Sequence, residues 1–126
     1  MITQMTIGKA VEYVLKNKRG YAFKDCTERH IASLIIKCDK LGGVVTLTNE
    51  NDKMVGIACF IPYPTTKTIY VHDMVTTSKN ALACFMTYFI NHYPNWHLEA
   101  MRRGKFVEYD TLRFLTKVLT KQERQS

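Results

Sequence analysis

The sequence predicts a mixed α/β (α+β) fold, with helices packed on a central mixed sheet in the order α-α-β-β-β-α-β-α. Three observations carry that prediction. Apolar residues recur at helical spacing near both ends of the chain and again over 78–92. Alternating and β-branched stretches fill the middle, between residues 44 and 75. Glycine, proline or short polar runs punctuate most of the joins. Two helices ahead of a three-stranded meander, then a helix and another strand, make a layered arrangement.

Each element has its own signature. Ile7, Ala10, Val11, Val14 and Leu15 form one face of a first helix over Thr6 to Lys18, with Thr6 as its N-cap. Gly20 interrupts it. Thr27 caps a second helix, whose face is Ile31, Leu34, Ile35, Cys38 and Leu41, and Gly42-Gly43 stops it. Val44 to Thr48 and Met54 to Ile61 read as an antiparallel hairpin around the polar turn Asn49-Glu50-Asn51-Asp52. Pro62-Tyr63-Pro64 is expected to end the second strand, because proline cannot donate to a ladder. Thr68 to Val75 is the third strand. A helix over Ser78 to His92 follows, with Leu82, Phe85, Met86, Phe89 and Ile90 inward, and Pro94 breaks it. Trp96 to Met101 is a fourth strand, parallel to the third because a crossover helix joins them. Arg102 to Lys105 is expected to turn. Asp110 then caps a last helix bearing Leu112, Leu115, Val118 and Leu119, and residues from about 120 fray.

The 126 residues suit a single domain over 1–126. A chain of this length buries roughly two-thirds of its unfolded surface, so it needs no disulfide or metal for stability. The uncharged run from Ala81 to Tyr93 contains Asn91 and His92 and is too short and polar to cross a bilayer. The N-terminus lacks a secretory pattern, so a cytoplasmic protein without membrane partners is expected. Cys26, Cys38, Cys59 and Cys84 form no CxxC pair, and Cys38, Cys59 and Cys84 lie in apolar runs, as reduced core cysteines do. His92 and His97 have no carboxylate or cysteine at ligand spacing, so no metal is expected. Ser78 lacks a GxSxG setting, and no role is assigned to the Cys84 thiol. The formal charge of +7 favours an anionic partner: nucleic acid, an acidic protein surface or a phosphorylated cofactor.

The element order over residues 6 to 119, with the stretch GVVTLTNENDKMVGIACF, resembles the GNAT superfamily of acyl-CoA-dependent N-acyltransferases. That resemblance implies acetyl-CoA or another acyl-CoA as cofactor and an amine as acceptor. It implies that the strand ending in Met74, Val75 and Thr76 holds the pantetheine by backbone bonds. In the family, the next turn carries a Gln/Arg-x-x-Gly-x-Gly/Ala signature whose amides approach the pyrophosphate at a helix N-terminus. The matching stretch here, Thr76-Thr77-Ser78-Lys79-Asn80-Ala81, contains no glycine. Lys79 supplies a charge instead, and Ser78 and Asn80 supply donors. The reaction needs a base for the amine and an acid for the departing thiolate. His72 and Asp73 on the third strand are candidates for the base. As neighbours they should face opposite sides, so at most one can look into a cleft. An imidazole is the side chain suited to a base near neutrality. Tyr109, just before the expected last helix, is the candidate acid.

A second reading is a non-catalytic basic binding protein. Arg102, Arg103 and Lys105, with Phe106, Tyr109 and Arg113, bring cations and aromatic rings together for phosphates and bases or for an acidic protein surface. A compact chain of degenerate acyltransferase layout also resembles small proteins of tailed bacteriophages, either particle components or host-directed effectors. That resemblance implies host cytoplasm or virion as location.

Overall fold

The computed structural model describes residues 4–17, 26–102, 105–109, 117, 119 and 120, with backbone only at 4, 101, 102, 105–107 and 109. In chain order the elements are α1 (Gln4–Asn17), α2 (Glu28–Lys40), β1 (Val44–Thr48), β2 (Met54–Tyr63), β3 (Thr68–Thr76), α3 (Ala81–His92), β4 (His97–Arg102) and β5 (Lys105–Tyr109). The strands form one five-stranded sheet in the order β1-β2-β3-β4-β5. All neighbours are antiparallel except β3 and β4, which run parallel across the α3 connection. The mixed α/β class expected from the sequence is therefore present.

Alternation along the strands sends side chains to two cores. On one face Ile57, Cys59 and Val75 pack with Ala10, Val14, Ile31, Ile35 and Cys38 of α1 and α2. On the other face Ala58, Phe60, Ile69 and Leu98 meet Ala81, Phe85, Met86 and Phe89 of α3. Phe60, Phe85 and Phe89 are at most 2% exposed, and each contributes roughly 1.5–3 kcal/mol by leaving water. Cys84, on the same helix, is exposed rather than part of this core, because Ala81, Phe85 and Phe89 take the inward positions.

Helix ends follow their local chemistry. The Thr27 side chain accepts the His30 N–H at 3.3 Å, which caps α2 as its position in the sequence suggests. At the other end Gly42 N–H reaches the Asp39 carbonyl and Gly43 N–H the Cys38 carbonyl, with Gly42 at φ 78°. This is the Schellman arrangement, and it turns the chain directly into β1. Thr6 is not an N-cap. The helix α1 already begins at Gln4, since no glycine or proline interrupts residues 4–6.

Two strand assignments and one helix start differ from the expectations set by the sequence. Pro62 lies inside β2, opposite Ile69, and the strand continues to Tyr63. The β1 ladder stops at Val44 opposite Cys59, so Pro62 has no β1 residue to donate to. Residues 105–109, read as turn and helix approach, form β5, an antiparallel partner of β4 from Arg102↔Lys105 to Leu98↔Tyr109. Helix α3 starts at Ala81, three residues after Ser78, because Ser78 to Asn80 form a bend and turn. The expected last helix lies largely outside the described residues; Lys117, Leu119 and Thr120 have helical backbone.

Candidate functional site

The site candidates gather where β3 leaves the sheet. Parallel pairing of β3 with β4 runs from Thr68↔His97 to Val71↔Ala100 and stops there. Both strands continue. The partner β2 stays in register with β3 as far as Gly56↔Thr76, and β5 stays with β4 as far as Arg102↔Lys105. Beyond Val71 the two ladders therefore part, and among the described residues nothing on β4 is in register with 72–76.

At the parting point the β3 strand carries a bulge. Cys59 pairs with Asp73 and Phe60 with Val71, which leaves His72 as the extra residue. The bulge breaks the expected opposite facing of His72 and Asp73. Asp73 shares the side of Cys59, which belongs to the α1–α2 core. The His72 ring makes an edge contact with Tyr70, centroids 6.0 Å apart, and Tyr70 pairs with Ile61 of the same side. The Nδ1 atom of His72 is buried and accepts or donates no hydrogen bond. Asp73 Oδ1 accepts the Met74 N–H at 2.8 Å.

Downstream, Val75 is buried among α1 and α2, whereas Met74 packs toward α3. Thr76 is exposed. Thr77 closes the β2–β3 ladder by donating its N–H to Val55 O at 2.9 Å. Its hydroxyl donates to the same carbonyl at 3.3 Å and accepts from Tyr13 at 3.1 Å. Ser78 Oγ accepts the Asn80 N–H at 3.4 Å, a long contact, and Ser78 O accepts the Ala81 N–H at 3.3 Å. Asn80 is the N-cap of α3, yet its side chain makes no capping bond, and no acidic residue lies in the first turn. Exposed Lys79 stands immediately before it. This corner offers the positive end of a 12-residue helix and a lysine, without a carboxylate of its own first turn to compete for an anion.

The remaining candidates are not gathered there. Tyr109 is on β5 opposite Leu98, near the start of β4, and the helix expected after it lies largely outside the described residues. Arg102 and Lys105 face each other in backbone register at the far end of that hairpin. Arg103 and Arg113 lie outside the described residues. His92 stacks on Tyr88 at 4.1 Å, and His97 Nδ1 meets Glu108 Oε1 at 2.7 Å. Among the described residues no group of three or more His, Cys, Asp or Glu side chains is placed to hold a metal ion. No helix among them is long and apolar enough to cross a membrane.

Tyr13 is the participant that the sequence reading missed. It comes from α1, far from the corner in sequence, and its phenol also reaches Val75 O at 3.4 Å. Burial pushes its pKa above the ordinary tyrosine value, outweighing the Thr77 hydrogen bond, which lowers it. At helical spacing it reads as one more core-facing ring, so no local pattern marks it.

Fold and corner together define a mixed α/β protein with an anion-compatible strand-to-helix junction. In comparison with known proteins, no family model, no curated protein and no solved structure matches the chain.

Proposed function

We propose that this chain binds an acyl-CoA in the opening between β3 and β4, and that it has the layout of an N-acyltransferase. The observation that carries the proposal is the parting of the two parallel ladders after Val71 and Ala100, next to the α3 N-terminus. An extended pantetheine arm takes the place of a strand neighbour there, bonding the edge of β3 that faces the opening. Its pyrophosphate meets Lys79 and the N–H groups at the start of α3. Backbone approach without glycine is less close, so the lysine carries more of the attraction than it would beside a glycine loop.

In the transfer step the amine nitrogen attacks the thioester carbonyl. A C–N bond forms, the C–S bond breaks, the amine loses a proton and the thiolate gains one. His72 is the group best suited to take that proton, since its Nδ1 has no hydrogen-bond partner to compete.

The test is calorimetric titration with acetyl-CoA and with CoA, at low and moderate salt. Micromolar binding that weakens at least about tenfold in Lys79→Glu supports the reading, as loss of a charged hydrogen bond predicts. No heat at millimolar ligand overturns it. Binding of nucleic acid or of an acidic protein through Arg102, Arg103 and Lys105 would then be the reading to pursue.

A further inference from the structure

An open groove of about 790 Å³ lies between α1 and the sheet end formed by β1, the β1–β2 turn and Thr77. It is separate from the parting of β3 and β4 and approaches that corner only at Thr77. Lys9 lines it from α1 and Lys53 from the far side of the turn, while Thr46 and Thr48 line it from β1. Val44 packs into the α1–α2 core, so strand alternation turns Thr46 and Thr48 to the same side, under α1.

The charges in this groove are unevenly satisfied. Glu12 is held by Lys16 at 3.1 Å on the same helix. Lys9 and Lys53 take part in no ion pair among the described residues, and Asp52, at the turn, is the remaining acidic lining residue. The hydroxyls of Thr46 and Thr48 make no hydrogen bond to protein among the described residues. Two ammonium groups and two hydroxyl donors suit a group with several strong acceptor oxygens and more than one negative charge. Phosphate has both. The volume lies within the usual range for sites that take a small molecule.

We propose that this groove is a binding site for a phosphorylated small molecule, with its phosphate held by Lys9, Lys53, Thr46 and Thr48. The proposal does not depend on acyl-CoA binding. Thr77, fixed by Tyr13, forms the wall shared with the corner.

The experiment uses the full ¹⁵N-labelled chain, titrated with inorganic phosphate and, in parallel, with sodium chloride at matched ionic strength. Phosphate should give saturable amide shifts at Thr46, Thr48 and Lys53. The Lys9→Gln/Lys53→Gln double variant, altered at two exposed positions, should weaken the apparent affinity by about tenfold or more. Thr46→Val should weaken it by a smaller factor, and Lys79→Glu should leave it unchanged. The proposal is overturned if chloride moves the same amides equally. It is overturned too if the double variant binds as tightly as the parent, or if the shifts fall on residues 78–81 instead.

Discussion

The phenol oxygen of Tyr13 lies 3.1 Å from Thr77 Oγ1 and 3.4 Å from the Val75 carbonyl, so helix α1 is fastened to the corner where β3 gives way to α3. Thr77 Oγ1 in turn donates to Val55 O, which links helix, corner and β2 in one chain of bonds. Tyr13→Phe keeps the ring in the core and removes only the hydroxyl. It should lower stability by about 1 kcal/mol, the usual net value of one hydrogen bond, and shift the Thr77 amide resonance. An unchanged urea midpoint and an unmoved Thr77 signal would mean that the contact holds nothing.

The junction from α2 into the sheet is more demanding. A Cβ on Gly43 would lie 1.6 Å from the Phe60 carbonyl oxygen, and Gly43 O accepts the Phe60 N–H at 2.8 Å. The obstructing atom is backbone, so it cannot swing aside. Gly43→Ala should cost about 3 kcal/mol or more, at the upper end for overpacked positions. At Gly56 a Cβ would meet the Phe85 ring at 2.9 Å, and a ring can shift. Gly56→Ala should cost less, about 1–2 kcal/mol. Thermal unfolding of the two variants checks the order, and a reversed order would contradict this account of both positions.

These positions also show what was legible in the chain. Thr27, Gly42 and the Asn49–Asp52 turn act through neighbours within four residues, so their side chains announce them. The β5 strand does not. Its residues Lys-Phe-Val-Glu-Tyr fail to alternate, and they are extended because β4 lies beside them. The bulge at His72 is equally silent, since an extra residue shows only against the β2 register. The corner at 76–81 is legible from its place between an alternating stretch and a helical one. The parting of β3 and β4 beside it is a relation between residues some thirty positions apart, which no local pattern records.

Alkaline pH should destabilise the protein through the core beneath α1 and α2. Burial, then the neighbouring Cys38 and Asp73, push the Cys59 thiol far above its ordinary range, and burial raises Cys38 as well. An unfolded cysteine ionises near pH ~8.5. Above that pH the unfolded chain has released protons that the folded chain keeps. The stabilising effect is therefore complete below about pH 8.5 and is lost as pH climbs toward the folded values, by up to about 1.4 kcal/mol per pH unit for each thiol. Urea midpoints should fall between about pH 8 and pH 10, and Cys59→Ala should flatten that decline while lowering stability at neutral pH. Parallel declines in parent and variant would assign the effect to other groups.

Hydrogen exchange along β3 tests the opening between the strands directly. Over 68–71 the strand has neighbours on both sides, whereas past Val71 the β4 ladder has parted and only β2 remains in register. Within 72–76, amides directed toward β2 should exchange slowly and those directed toward β4 several orders of magnitude faster. Adding acetyl-CoA should slow the second set if an extended pantetheine bonds that edge, and inorganic phosphate in the separate groove should not. Uniformly slow exchange across 68–76 without ligand would mean that the edge is already covered. The opening would then not be the cofactor's place.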